Sequence, residues 1–545
     1  MAMGPMGGRG MRPAEKSKRG LRGVQRELFS YSERIKLPML IALVLAAAGA
    51  VLTILGPNQL SKITNLISDS LMGEIDLAAI GRVAGVLLGI YALSALLTFI
   101  EHYIMATVTL GLSKHMRRDL CAKINRVPMS CFNRIAHGDI LSRVTNDVST
   151  LQQALSNSLP SMISAVAQLT GCVIMMFVTE WRMALAAIAA TMIGFVFMFI
   201  IMKRSQKYFV DRQESLGTLN GYIEEMYSGH DVVRISRAND RIKETFRGMN
   251  RAVYEANRKS QFLSGIMQPL MNVIGNLGYV AVCVLGAALV MNGSIKFGVI
   301  TAFILYVRLF TSPLTTIAQG MTQLQSAAAA GDRVFDFLQE PELPDESKNL
   351  PVPQPVRGEI EFDHVCFSYP DHPEKTIIHD FSAQKVAIVG PTGAGKTTMV
   401  NLLMRFYDLD GGDIRIDGIS TKDMSREEVH GLFGMVLQDT WMFEGTVREN
   451  LVYNRTGVSD ETLERACRAC GIYHFIETLP HGFDTVLREN VAISAGQKQL
   501  FTIARAMVQN SPMLILDEAT SSVDTRTELL TQRAMDTLTE HRTSF

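Results

Sequence analysis

Lys385-Val386-Ala387-Ile388-Val389 runs straight into Gly390-Pro391-Thr392-Gly393-Ala394-Gly395-Lys396-Thr397, and an apolar helical stretch follows from Thr398. A short β-branched run, a glycine-rich turn and a helix form the strand–loop–helix setting that a phosphate loop requires. The glycines let backbone N–H groups turn inward around the β- and γ-phosphates, and the start of the helix adds positive field. Lys396 supplies a point charge to the phosphates, and Thr397 offers a hydroxyl to Mg²⁺. The stretch predicts a nucleotide site.

Downstream, Leu514-Ile515-Leu516-Asp517-Glu518 reads as an apolar strand ending in two carboxylates. Asp517 suits the Mg²⁺ sphere, through water. Glu518 is placed one residue further on to polarise the water that attacks the γ-phosphate. From Gly358 onward, short β-branched runs alternate with helical patterns, the signature of an α/β domain. Before it, Pro341, Pro344, Pro351, Pro353 and Pro355 punctuate an acidic, Ser-containing connector.

Upstream the composition changes. The chain of 545 residues carries 53 basic and 53 acidic side chains, so its net charge is zero and polyanion binding is disfavoured. Its charged fraction of 19% is low for a soluble protein. Residues 1–36 hold nine Lys or Arg against three Glu, and the apolar run from Leu37 to Gly56 follows. That run is long enough to span a bilayer and too long for a signal-peptide core. Further apolar stretches at 82–106, 157–178, 183–202, 264–291 and 297–320 complete six predicted spans.

The links between spans alternate. Long, Arg- and Lys-rich helical links lie at 107–156 and 203–263. Short ones, Thr179-Glu180-Trp181-Arg182 and Met291-Asn292-Gly293-Ser294, join the third span to the fourth and the fifth to the sixth. Basic links on one side predict a multi-pass protein of the cytoplasmic membrane, embedded in the lipid bilayer, with both termini in the cytoplasm. The spans are expected to continue as helices beyond the bilayer.

Charge within the spans is sparse: Glu101, His102 and Arg308. Such groups are pathway candidates, set against the plainer reading of structural groups lining a cavity or lying past the hydrocarbon. The 30 methionines suit either a promiscuous apolar surface or ordinary packing, and packing is the favoured reading. Seven cysteines lack framework spacing and fit a reduced compartment. Cys467-x-x-Cys470, without a second such pair, reads as two helical cysteines, not a metal or redox site.

Ile493-Ser494-Ala495-Gly496-Gln497, before a helix expected to begin near Lys498, resembles the signature motif of the ATP-binding-cassette (ABC) proteins. The resemblance implies that Ser494, Ala495, Gly496 and Gln497 complete the ATP site of an opposite subunit. It also implies that Gln438 is the Gln-loop residue sensing Mg²⁺, that Tyr369 stacks on adenine, and that Asp524 belongs to a loop crossing the dimer interface. Nucleotide contacts would run from Gly390 through Pro391, Thr392, Gly393, Ala394, Gly395, Lys396 and Thr397 to Thr398. Catalysis would rest on Glu518 and Gln438, and metal contacts on Thr397, Gln438 and Asp517. A tyrosine ring is a good platform for a purine.

The resemblance reaches the membrane half. Phe132 to Asp147, through His137-Gly138-Asp139, is similar to the first cytoplasmic loop of bacterial multidrug exporters, and Gly229-His230-Asp231-Val232-Val233 occupies the second. These are implied to be coupling helices. The implied architecture is an all-α six-helix polytopic membrane domain of ABC exporter type plus an α/β P-loop NTPase domain. Its expected divisions are a basic segment 1–36, a transmembrane domain 37–325, a linker 326–357 and a cassette 358–545. The implied function is export of amphipathic small molecules by a dimer of half-transporters, homomeric or heteromeric, using ATP and Mg²⁺ and no nucleic acid. The alternative is an ATP-binding regulatory subunit with little hydrolysis of its own. Lipid or peptide cargo would use the same machinery.

Three departures stand out. Ala495 replaces the family's usual Gly or Gln, and Glu489-Asn490-Val491-Ala492 is one residue short. Asp380-Phe381-Ser382-Ala383 runs into Gln384-Lys385 without the Pro-Gly turn that would make a hairpin. The strand before the phosphate loop is therefore expected to be shortened or displaced. Arg542-Thr543-Ser544-Phe545 matches only the start of the strand leading to the family's switch histidine, and His541 precedes it. The expectation is a C-terminally shortened chain, with weak hydrolysis if it acts as it stands.

Overall fold

The computed structural model describes residues 20–31, 35–70, 76–346, 355–384, 395–436, 440–453, 455–488, 493–516, 525–540 and 542–544. The chain divides into two compact units. One is Met1–Ile124 with Gly138–Glu340, and the other is Asn125–His137 with Pro341–Phe545.

The first unit is helical: α1 (Gly20–Tyr31), α2 (Lys36–Asp69) and α3 (Leu77–Ile124) precede a short α4 (Met129–Arg134), which belongs to the second unit. Then come α5 (His137–Ser142), α6 (Val148–Gln153), α7 (Leu159–Thr179), α8 (Trp181–Ser228), α9 (His230–Ile235), α10 (Asn239–Met291) and α11 (Phe297–Leu338). Single π-helical turns at Arg143–Asp147 and Ala154–Ser158 flank α6. Among the described residues, six segments are long and apolar enough to cross a membrane, one each in α2, α3, α8, α10 and α11 and one over His137–Thr179. The 48 residues of α3 extend about 70 Å at 1.5 Å per residue, more than twice the hydrocarbon thickness of about 30 Å. The expected continuation of the spans beyond the bilayer is thus present. Helix α11 runs unbroken through 326–338, so the irregular connector begins after it.

Small residues let these helices approach. Ser94 Oγ donates to the Gly49 carbonyl at 2.9 Å, and Ser164 Oγ to that of Ala46 at 3.1 Å. A Cβ on Gly56 would meet the Tyr91 hydroxyl at 2.2 Å. Ile54, Cys172, Met176, Met183, Phe303 and Tyr306 form a closed core. Met39, Met105 and Met116 are buried as well, so these methionines serve packing. The orphan amide of Gly298, in the first turn of α11, donates to Asn65 Oδ1 at 2.7 Å.

The second unit begins its strands with β1 (Ile360–Ser368) and β2 (Thr376–Gln384), then α12 (Lys396–Leu403), β3 (Gly411–Ile416), β4 (Ile419–Ser420) and α13 (Arg426–Leu432). It continues with β5 (Phe433–Val436), β6 (Gly445–Thr446), α14 (Val447–Val452), α15 (Asp460–Ala469), α16 (Tyr473–Thr478) and β7 (Val486–Leu487). Finally come α17 (Ala495–Gln509), β8 (Met513–Leu516), α18 (Thr525–Thr539) and β9 (Thr543–Ser544). One sheet is antiparallel in the order β2-β1-β3-β4, a second is parallel in the order β5-β8-β9, and β6 pairs with β7.

Strand β2 extends to Gln384, which pairs with Glu361. The Lys385–Val389 strand lies outside the described residues. Between the sheets, Met399, Leu402 and Leu403 of α12 pack with Phe362, Ile414, Phe433 and Ile515. The connector is tied down by Glu346, which accepts from the Arg426 amide at 2.7 Å and pairs with the Arg426 and Arg405 guanidinium groups. Asp417 accepts from the amides of Arg357 and Glu359, each at 2.8 Å, closing the entry to β1.

Candidate nucleotide-binding site

The parallel sheet aims the site. Val436 at the end of β5 and Leu516 at the end of β8 are register partners, and both strands are almost wholly buried. In open α/β sheets, ligands bind beyond the carboxyl ends of such strands. The segments carrying Gln438, Asp517 and Glu518 leave from this edge. Those three residues lie outside the described residues, as do Asp524 and Gly390, Pro391, Thr392, Gly393 and Ala394.

The helix side of the phosphate loop is described. Gly395 takes φ +94°, a left-handed conformation natural to glycine, and caps the start of α12. Lys396 is the first helical residue, so the unpaired amides of the first turn gather beside it. Thr397 is exposed. Thr398 is buried, and its Oγ1 lies 3.0 Å from the Tyr369 hydroxyl. Orphan amides, a lysine and an exposed hydroxyl in one helical turn fit a triphosphate carrying a divalent cation.

Tyr369 sits half-buried in an aromatic cluster. Its ring centroid is 5.0 Å from that of Phe367 and 5.3 Å from that of Tyr407, in T-shaped contacts of 76° and 86°. Tyr407 is buried, and its hydroxyl accepts from Asn133 Nδ2 of α4 at 2.7 Å. Burial, ahead of the other influences, raises the Tyr407 pKa, which keeps the phenol neutral. Sequence reasoning does not single out Tyr407. Its only local signal is an aromatic shortly after α12, because its partners come from the end of β1 and from the link between α3 and α5.

The signature segment forms the start of α17. The Ser494 hydroxyl accepts from the Gln497 amide at 3.2 Å, while Gln497 Oε1 accepts from the Ser494 amide at 2.9 Å. This capping box starts the helix at Ala495, three residues before the expected Lys498, because it satisfies orphan amides at that point. Ser494 and Ala495 are exposed, while Gly496 is buried. The methyl of Ala495 therefore points away from the packed interior of its own chain.

Both long links between spans take helical form. In the first, α4 stands in the second unit, where the Arg126 carbonyl accepts from the Leu343 amide at 2.8 Å. Within the first unit, Arg333 forks onto Asp147 at 2.6 and 2.9 Å, fixing the π-helical turn after α5 to α11. In the second loop, Gly229 caps α9.

Among the membrane acids and bases, Glu101 is buried beside Met105 of α3 and pairs with His102 Nδ1 at 2.8 Å. Its Oε1 has no hydrogen-bond partner among the described residues. Arg308 is exposed. Cys467 ends up buried on α15 and Cys470 buried at its C-cap, with Cys470 Sγ 3.5 Å from Met507 Sδ. Burial pushes the Cys467 thiol up to about 12 and raises that of Cys470 further. The described residues hold no cluster of three or more metal-ligating His, Cys, Asp or Glu.

Residues 39–314 match the family described as the ABC transporter transmembrane region, and residues 381–521 match the family described as ABC transporter. The chain is 42% identical over 478 residues to a fatty acid ABC transporter ATP-binding/permease protein of Mycobacterium tuberculosis, covering 86% of this chain and 75% of that one. It is 36% identical over 531 residues to an uncharacterized ABC transporter ATP-binding protein of Bacillus subtilis, covering 96% and 87%. It is 30% identical over 516 residues to an ATP-dependent lipid A-core flippase of Desulfotalea psychrophila, covering 94% and 89%.

Proposed function

We propose, since this chain belongs to the ABC transporter family, that it is one half of a dimeric exporter moving amphipathic, lipid-like small molecules out of the cytoplasm. Six membrane-spanning helices joined to an ATP-hydrolysing domain make it a transport protein. The finer reading rests on one observation. The chain leaves the capped start of α17, with Ser494 and Ala495, exposed. A helix N-terminus presented outward suits a phosphate held by another subunit.

In this reading both termini face the cytoplasm and the spans cross the cytoplasmic membrane. Lys396 and the first-turn amides of α12 hold the β- and γ-phosphates, and Tyr369 carries the adenine. Thr397, Gln438 and Asp517 hold the cation, and Glu518 takes the proton of the attacking water. Mg²⁺, when bound, neutralises charge on the phosphates. Ser494, Ala495, Gly496, Gln497 and Asp524 serve the partner's nucleotide, so closing two cassettes on ATP completes both sites and drives the membrane helices between inward- and outward-open arrangements.

Ala495 would favour the regulatory-subunit alternative if its methyl blocked the approach of phosphate. Its exposure, clear of its own fold, supports an active subunit instead. The test is ATP-dependent uptake into inverted membrane vesicles of a fluorescent long-chain fatty acid and, separately, of an amphipathic dye. Uptake of either, lost in Lys396→Ala, supports export. Uptake of neither, with ATPase activity intact, would refute this cargo class.

A further inference from the structure

Four side chains form a continuous path from the nucleotide face to the first cytoplasmic loop. Thr398, on the helix that begins with Lys396, meets the Tyr369 hydroxyl at 3.0 Å. The Tyr369 ring meets the Tyr407 ring edge-on at 5.3 Å. The Tyr407 hydroxyl accepts from Asn133 at 2.7 Å, across 274 residues of sequence. Asn133 sits in the last turn of α4, which lies between the long helix α3 and α5 in chain order.

We propose that Tyr407 and Asn133 are positioning residues through which occupation of the adenine platform is transmitted to the first cytoplasmic loop. The inference rests on the assignment of Tyr369 to the adenine. A purine stacked on Tyr369 fixes the plane of that ring. The T-shaped contact then fixes Tyr407, because edge-to-face aromatic pairs have a preferred geometry. Tyr407 has little freedom of its own, being only 8% exposed and also packed on Phe367 at 5.7 Å. Its hydroxyl accepts from Asn133 at 2.7 Å. The Arg126 carbonyl ties the start of the loop to Leu343 of the connector, whereas the Asn133 bond ties α4 to the aromatic cluster, so that α4 follows the cluster. The bond is neutral at any physiological pH, since burial keeps the phenol protonated.

The chain supplies its own reporter. It has two tryptophans, Trp181 in the short link between the third and fourth spans and Trp441 in the cassette segment before β6. With Trp441→Phe as parent, Trp181 alone reports events in the membrane half. In the full transporter in lipid nanodiscs, acrylamide quenching of Trp181 is measured with and without MgATP. Affinity for a fluorescent ATP analogue is measured alongside.

The parent is expected to show an MgATP-dependent change in quenching. Tyr407→Phe should keep nucleotide affinity within twofold, since it keeps the ring, yet shrink the Trp181 response at least threefold. Asn133→Ala should do the same, and the double variant should lose no more than either single one, because both remove one bond. Asn133→Asp should retain the response, since the phenol can donate to the carboxylate. A purely structural role would move stability and affinity without this pattern. A wild-type response in Tyr407→Phe, losses that add in the double variant, or a silent parent would each overturn the relay. Tyr369→Ala separates the two readings. A fivefold or greater loss of nucleotide affinity upholds the adenine platform, and unchanged affinity overturns it and the relay with it.

Discussion

Val436 and Leu516 are register partners at the carboxyl ends of two neighbouring parallel strands, β5 and β8. The segments that carry Gln438 and Asp517 therefore set out from adjacent points on one sheet edge. The precision of that edge depends on its buried apolar residues. Leu514 is fully buried and packs in the core shared by α14, α15, α17 and β8. Leu514→Ala is expected to cost about 2–5 kcal/mol of cassette stability and to lower ATPase turnover as the strand end loosens. Thermal unfolding and turnover of the variant check both parts, and turnover at the wild-type level would show that the edge tolerates a cavity.

The capping box of α17 carries the second prediction. Ser494→Ala removes the side-chain acceptor for the Gln497 amide, at a cost of about 1 kcal/mol. The larger effect is expected on hydrolysis, because the freed helix end is the one offered to a partner's nucleotide. A drop in turnover at saturating ATP, with nucleotide affinity of the same chain nearly unchanged, is the expected result. Equal losses in both would place Ser494 in its own subunit's site.

Stability of the cassette should fall on mild acidification. His430 Nε2 lies 2.8 Å from the Met404 carbonyl, its ring packs on Phe406, and burial lowers its pKa. The unfolded chain therefore takes up the proton first. Stability is whole above the ordinary histidine value of about 6.5 and is lost as pH falls through it. His364 acts in the opposite sense, since Asp380 raises its pKa, but that pair is exposed and screened by solvent. Melting temperature measured between pH 7.5 and 5.5 should drop, and His430→Asn should flatten the slope. An unaltered slope in that variant would assign the pH dependence elsewhere.

Thiol reactivity should divide by burial. Cys121 is exposed near the C-terminal end of α3, whereas Cys467 and Cys470 are buried and their thiols raised. Brief maleimide treatment of the folded protein, followed by peptide mapping, should modify Cys121 and spare the pair. Rapid modification of Cys467 or Cys470 would show that the α15–α17 packing opens readily.

Much of this organisation is readable one segment at a time. The six spans follow from apolar runs, and helix α12 from the apolar stretch after Lys396, because both signals are local in sequence. The capping box at Ser494 and Gln497 is equally local, yet the helix starts earlier than its apolar pattern alone suggests, because Ala495 and Gly496 carry no amphipathic signal. Contacts between distant segments leave no such mark. Asn133 and Tyr407 are 274 residues apart, and Glu346 reaches Arg426 across 80. The connector's prolines announce an irregular stretch but not the buried arginines that hold it. Glu101 is visible as a charge within a span, while its burial beside Met105 and its pairing with His102 follow only from the packing of α3.

ATP hydrolysis by the purified transporter in lipid, with and without vanadate, tests the central claim most directly when set beside Glu518→Gln. Vanadate-sensitive activity that Glu518→Gln abolishes, with nucleotide still bound, is the predicted result and identifies an ATP-driven half-transporter using Glu518 as its base. Binding of nucleotide without turnover in the unaltered protein, or turnover indifferent to Glu518→Gln, would contradict it.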